Sequence, residues 1–327
     1  MKYLVLVGAC YLDTILTVPH FPSEDTKLRA TSLTTRRGGN VPNTLEVLTQ
    51  LAPSLQTHLI TVLPSRSSPA TTQILSSFSH SPPPDDPSPG TPHRIGTPNF
   101  SHCLYREAHT SPASSYIIRS SATGSRTIVN HNALEEMTTR EFVHAADGIL
   151  DGIEHKGDGV WWHFEGRIPE TTLSCVRHVR RVAPASIVSV EVEKPLRDGL
   201  RELAAEADVV FYSRSWAESQ GYANAEACLR GEAASSKASL LLCTWGSHGA
   251  SAFSPSTNTC TTHAPSSDDI KVVDTIGAGD TFIAGMLYSL ICHTPQAAKL
   301  RFAVELATAK VQREGFAGLS RSLDLEL

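Results

Sequence analysis

An α/β fold built on a mostly parallel sheet is the architecture this sequence predicts, on three observations. Short β-branched runs alternate with runs of helical period along most of the chain. Polar or glycine clusters follow residues 7, 166, 194, 213, 246 and 273, at the carboxyl ends of such runs, where sheets of this class bind ligands. A chain of 327 residues, 40% hydrophobic and 19% charged, can bury one large core or two modest ones.

The elements follow in order. "YLVLV" (3–7) is a strand that stops at Gly8. "VPNTLEVLTQLA" (41–52) has apolar residues at 41, 45, 48 and 51–52, the period of a helix. "HLITVL" (58–63) is the next strand and "ATTQILSSF" (70–78) a short helix. Residues 64–98 hold nine prolines, so 79–98 are expected to form a Pro/Ser-rich mobile surface loop. "SHCLYREA" (101–108), "SSYIIRS" (114–120) and "SRTIVN" (125–130) are β-like, the last two joined by a turn at Thr123-Gly124. "GVWWHFEG" (159–166), "SIVSVEVEK" (186–194), "ADVVFYS" (207–213), "ASLLLCTWG" (238–246) and "GASAFS" (249–254) are strands, and "TTLSCVRHVRRV" (171–182) is a helix. From Asp280 to Leu290 the chain is apolar on most faces, which implies a buried helix. "PQAAKLRFAVELATAKVQ" (295–312) is a second long helix.

Several function classes are disfavoured. A net charge of −5 and a pI near 6.3 offer nothing to nucleic acid or to a membrane surface. The apolar start is short and interrupted by Asp13, so it reads as a first strand, not a secretory leader. No run approaches the roughly 18 apolar residues of a membrane span. The seven cysteines (10, 103, 175, 228, 243, 260 and 292) are odd in number and include no C-x-x-C pair. They read as reduced core residues of a cytoplasmic protein. The motif H-E-x-x-H is absent, and no metal ligand set is defined.

"VVDTIGAGDTF" (272–282) carries the chemistry. Small residues at a helix start let an anion reach free backbone N–H groups and the positive end of the helix dipole. A carboxylate at that place makes sense beside a reacting group. In phosphoryl transfer, the N–H groups of Gly277, Ala278 and Gly279 would hold the charge developing on the phosphoryl. Asp280 would accept the proton of the attacking hydroxyl. Alone, the stretch also reads as an ordinary helix start with Asp280 as a cap. G-x-x-x-x-G-K-[ST] does not occur, which excludes a P-loop, and the third Gly of a dinucleotide fingerprint is missing.

"DTIGAGDTF" resembles the C-terminal signature of the PfkB/ribokinase-like carbohydrate kinases, and "RRGGNVPNTLEVLTQLA" (36–52) resembles their N-terminal signature. Within the family the chain is most similar to the ketohexokinase (hepatic fructokinase) branch. "GACYLD" (8–13), "FPSEDTKLRA" (21–30), "GSRTIV" (124–129), "WWHFEGR" (161–167), "VSVEVEKP" (188–195) and "ADVVFYS" (207–213) follow in the family's order. The resemblance implies a single ribokinase-like domain over 1–327, a three-layer α/β/α core with a small β-sheet lid. The lid strands would fall at about 11–35 and 100–130. It implies an ATP-dependent sugar kinase with Mg²⁺, and K⁺ as a further candidate, phosphorylating D-fructose at the 1-hydroxyl. In the ketohexokinase branch the lid clasps a second subunit, so the resemblance implies a homodimer through the lid as an expectation.

Site roles follow position by position from the resemblance. Asp13, Gly39, Asn40 and Asn43 match sugar-binding positions, and Asn40 and Asn43, three apart on a helix, project to one side. Arg126 matches an arginine that reaches phosphate and sugar, a task suited to a guanidinium fork. Thr244, Gly246, Ser247 and Gly249 match the nucleotide-side turn. Val304 and Val311 would flank the adenine, or simply pack in the core. Glu165 and Arg167 read either as an ion pair lining the cleft or as groups behind a metal and its water. One of Glu191 and Glu193 would look into the nucleotide cleft, with metal-water coordination and plain solvent exposure both left open.

Three departures qualify the match. Ser247 stands where ketohexokinases carry an acidic residue. Ser213 replaces the Asn of N-x-x-E, and Glu218 comes two places late, which leaves the metal ligands undefined. The prolines of 79–98 fall beside the lid. Alternatives are a family kinase for ribose, another ketose or a nucleoside, or a silent sugar- or nucleotide-binding sensor.

Overall fold

The computed structural model describes residues 2–79, 96–153, 159–267, 269–292 and 296–321. The chain begins with β1 (Tyr3–Val7), β2 (Tyr11–Val18), β3 (Ser32–Gly38), α1 (Asn40–Leu51), β4 (Gln56–Ile60), β5 (Val62–Pro64) and α2 (Pro69–Ser76). It continues with β6 (Leu104–Arg106), β7 (Ser114–Ser120), β8 (Arg126–His131), α3 (Thr139–Asp151), β9 (Val160–Glu165), α4 (Pro169–Val182) and β10 (Ile187–Val192). Then come α5 (Leu200–Ala204), β11 (Val209–Tyr212), α6 (Arg214–Ser219), α7 (Ala225–Ala233), β12 (Leu240–Thr244), β13 (Ala250–Ser254) and β14 (Thr259–His263). The last two helices are α8 (Ala278–Ile291) and α9 (Gln296–Val311).

The main sheet runs β14-β13-β12-β11-β10-β9-β1-β4. The six strands from β12 to β4 pair in parallel, and β13 and β14 extend the edge antiparallel. Alternate residues of its strands feed two cores. Val5, Val7, Trp162 and Phe164 face Phe142 of α3, Val176 of α4 and Leu203 of α5. Leu4, Leu6, Trp161 and Leu242 face Leu45 of α1, Phe282 of α8 and Leu306 of α9. Helices therefore cover both faces, which explains why these strands read as nearly continuous apolar runs.

A second sheet, β3-β2-β7-β8, stands apart from the first. Its register sorts the side chains. Leu12↔Ser114 and Arg119↔Arg126 put Asp13, Ser115, Ile117, Arg126 and Ile128 on one face. Leu33, Tyr116 and Val129 share the other face and are exposed.

The strand expected over 58–63 is two strands: β4 pairs with β1, and β5 turns away to pair with β6. Residues 100–113 consequently do not join the small sheet, whose strands from this region are β7 and β8. Of the expected 79–98 loop, 80–95 lie outside the described residues. At its end Gly96 N donates to Thr49 O at 3.0 Å. Helices α3, α5, α6 and α7 and strand β14 are not among the elements expected from the sequence, and all but α3 carry patterns too short or too polar to stand out. For α3 the signal was present, because Thr138 and Glu141 form a capping box.

Candidate active site

The carboxyl ends of β9, β10, β11 and β12 open into a cavity of about 390 Å³ beneath the small sheet. Its two long walls are the segments on either side of Gly39 and Gly277. The size suits a small molecule with part of a second one.

On the first wall, Gly277 starts α8 with φ 79°, in the left-handed region that other residues enter at a cost. A side chain there would also overlap the ring of Phe316. Gly279 is exposed, with nothing within 4 Å of an added Cβ. No side chain caps this helix start. The N–H end of α8 thus faces the cavity without a side-chain cap, Ala278 N donating to Thr275 O at 3.4 Å, with Asp280 in its first turn.

On the second wall, Gly38 leaves room for the Asp13 carboxyl, and Gly39, at φ 104°, lies against the Ala9 carbonyl. Helix α1 begins directly after, at Asn40. Arg37 pairs with Glu46 and donates from NH1 to Asn43 Oδ1 at 3.0 Å. That fixes the Asn43 amide, so its Nδ2 donates to Asp280 Oδ2 at 2.8 Å. Thr44 Oγ1 also donates to the Asp280 carbonyl oxygen, at 3.2 Å. The two walls are joined at Asp280.

The floor is acidic. Asn40 Nδ2 donates to Glu191 Oε2 at 2.9 Å and to Glu193 Oε2 at 2.7 Å. Glu165 Oε2 accepts from Ala9 N at 2.8 Å. Burial, then the charge of Glu191, pushes the Glu165 carboxyl up to about 7. Burial, with a contribution from Glu193, takes Glu191 up to about 8, and the Asn40 hydrogen bond opposes the rise. Asp280 is pushed well above the usual carboxylate range, first by burial and then by Glu191, against the hydrogen bond from Asn43. Asp13, 6% exposed, is raised by burial, and Ser115, Arg36 and Arg37 act in the opposite direction.

Beneath the floor lies His163, fully buried and held near 3 by burial, hence neutral. Ser189 Oγ accepts from Trp161 Nε1 at 2.7 Å and lies 2.8 Å from His163 Nδ1. With the Ser189 hydroxyl proton directed to Nδ1, the His163 Nε2–H donates to Glu191 Oε1 at 3.0 Å.

Asp13, Gly39, Asn40, Asn43, Arg126, Thr244 and Gly277 to Asp280 all line the one cavity. Arg126 NH1 donates to Thr275 Oγ1 at 2.7 Å, bridging the small sheet and the segment before α8. Gly246 and Ser247 form an exposed turn after β12, and Gly249 closes it with φ 80°. Val304 lies in the core and Val311 is half-buried, with its carbonyl accepting from Val273 N and Asp274 N. Arg167 turns to Glu136 at 2.7 Å and to the Tyr11 hydroxyl at 2.6 Å, not to Glu165. Among the described residues, no group of three or more His, Cys, Asp or Glu is placed to hold a metal ion.

Sequence reasoning missed Arg37 and His163. A polar residue inside the apolar run "VWWHFE" was the available signal for His163. Arg37 offered none, because its role depends on two partners across α1.

The model of the pfkB family carbohydrate kinases matches residues 101–321. The chain belongs to this family. It is 29% identical over 326 residues to the ketohexokinase of Mus musculus, covering 97% of this chain and 99% of that protein. Similar solved structures include the ribokinase of Thermotoga maritima, with TM-score 0.70 and 16% identity over 96% of this chain and 94% of that one. The ribokinase of Arabidopsis thaliana, solved with ribose and ATP, has TM-score 0.67 and 18% identity over 96% and 94%. The fold is thus ribokinase-like, a mostly parallel sheet with a small separate one, and the protein is a sugar kinase. Among the described residues no helix is long and apolar enough to cross a membrane.

Proposed function

We propose that this kinase transfers the γ-phosphoryl of ATP to the 1-hydroxyl of D-fructose, with Asp280 as general base. The observation that carries the proposal is the Asp280 carboxyl itself. It stands at the uncapped start of α8, is raised by burial and by neighbouring carboxylates, and is held by Asn43 from the opposite wall. A raised carboxylate is a stronger base once ionised, and general bases work best with a pKa near the operating pH. Asp280 takes the proton of the attacking hydroxyl. The N–H groups of Gly277, Ala278 and Gly279 hold the charge of the transferred phosphoryl where no side chain caps the helix.

Asp13, Asn40 and Asn43 orient the sugar, with the Gly39 backbone close beside it. Arg126, anchored on Thr275, reaches the phosphoryl from the small sheet. Thr244, Gly246, Ser247 and Gly249 present backbone to the nucleotide, and Val304 and Val311 back its base from α9. A Mg²⁺ carried by the nucleotide neutralises phosphate charge when bound. Glu193, half-buried at the rim, fits a magnesium ion that keeps most of its water, since such ions need only one or two carboxylates. The small sheet acts as a lid over the cavity. Its exposed apolar face, Leu33, Tyr116 and Val129, supports a homodimer through that lid.

The fructose assignment rests on the similarity to the mouse ketohexokinase and on the hydrogen-bonding side chains that line the cavity, Asp13, Asn40 and Asn43 among them. It is tested by ADP release over D-fructose, D-ribose, other ketoses and nucleosides. The highest kcat/KM is expected with D-fructose, and a preference for ribose or a nucleoside overturns it.

A further inference from the structure

Lys310 takes no part in the mechanism above, yet it is fully buried. A lysine buried to this extent is rare unless paired. It projects from the last turn of α9 toward the strap that precedes the catalytic helix. Its Nζ lies 3.0 Å from the Asp274 carbonyl oxygen, 3.0 Å from Asp274 Oδ2 and 3.4 Å from the Arg313 carbonyl oxygen. Two backbone carbonyls and a carboxylate around one compact charge form the kind of oxygen cage that a monovalent cation occupies.

The strap depends on this cage. Asp274 Oδ1 accepts from Ile276 N at 2.9 Å, one residue before Gly277. Arg36 from the small sheet binds Asp274 Oδ2 at 3.1 Å, so the carboxylate takes a positive charge on each side. The Phe316 ring lies 5.4 Å from Lys310 Nζ and fills the space a Gly277 side chain would need. Lys310 therefore touches both groups that set the position of the Gly277 turn.

We propose that the Lys310 ammonium is a tethered monovalent cation that holds the strap before α8, and with it the anion-holding N–H groups. Turnover then needs no free potassium or sodium at this strap. The family resemblance left a potassium requirement open, and here the oxygens are already turned to an ammonium. The link to catalysis rests on the kinase function proposed above.

The test compares KCl, NH₄Cl and tetramethylammonium chloride at constant ionic strength, reading kcat and the thermal midpoint. Wild type gives the same values in all three. Lys310→Ala leaves the oxygens around a cavity. In tetramethylammonium it loses kcat by roughly tenfold to a hundredfold, the scale of a misplaced catalytic group. Potassium or ammonium restores both kcat and the midpoint. Lys310→Met fills the space without charge and is restored by neither. Lys310→Ser serves in the same way should Lys310→Ala not fold. Activation of wild type by potassium, or full activity of Lys310→Met, overturns the proposal, as does a folded Lys310→Ala that no cation restores. If no acceptor supports turnover, the kinase function fails instead, and the thermal midpoints still decide the role of Lys310.

Discussion

Alanine at Gly277 and alanine at Gly279 should give opposite signatures, although the two residues lie in one turn. Gly277 has φ 79°, and forcing a residue with a Cβ into the left-handed region costs about 1–2 kcal/mol. The new methyl also overlaps the Phe316 ring, and overpacking of this kind costs about 1–3 kcal/mol. Together Gly277→Ala should lose roughly 2–5 kcal/mol of stability. Gly279 has no such φ and nothing within 4 Å of an added Cβ. Alanine there gains about 0.5–1 kcal/mol of helix preference. Its methyl, however, enters the space in front of the N–H groups and should lower kcat/KM without lowering stability. Urea unfolding with ADP-release kinetics on both variants separates the effects. Phe316→Leu in the Gly277→Ala background should return the packing part alone. A Gly277→Ala protein within ~0.5 kcal/mol of wild type refutes the reasoning. So does a Gly279→Ala protein equally destabilised.

Two further outcomes follow from the acidic floor. The folded-state value of Glu191, about 8, lies above the ordinary 4.5, so the folded protein binds the extra proton between those values. That stability is fully present below about 4.5 and is lost as pH rises to about 8. Glu191→Gln removes the titration, so its thermal midpoint should fall less than that of wild type over this range; identical slopes would exclude the effect. Asp280 must be ionised to act as base, so kcat/KM should fall as pH drops through its raised value. Asn43→Ala removes the hydrogen bond that holds that value down and should move the acid limb to higher pH, whereas a limb that stays in place would detach Asn43 from the base.

The parallel sheet was legible because both of its faces are buried, which leaves continuous apolar strands at regular intervals. The paired walls were legible because each depends on glycines with a steric task, Gly39 against Ala9 and Gly277 against Phe316. Backbone requirements of this kind leave a local mark in the sequence. The split at Thr61 between β4 and β5 was not legible, since "HLITVL" has one pattern and two partners. Nor was the Arg37–Asn43–Asp280 chain, whose last link spans most of the chain length. Lys310 looks like a solvent-side lysine in a helix of mixed composition. Only the packing of α9 against the strap buries it.

The general-base role of Asp280 is tested most directly by single-turnover phosphoryl transfer in Asp280→Asn, with ATP binding measured in parallel. General bases contribute typically about 10²–10⁴-fold, so the rate should fall by roughly that factor. ATP affinity should be retained, and the thermal midpoint should be unchanged or higher, because burial already disfavours the Asp280 charge. A variant keeping more than about a tenth of the wild-type rate would contradict the assignment.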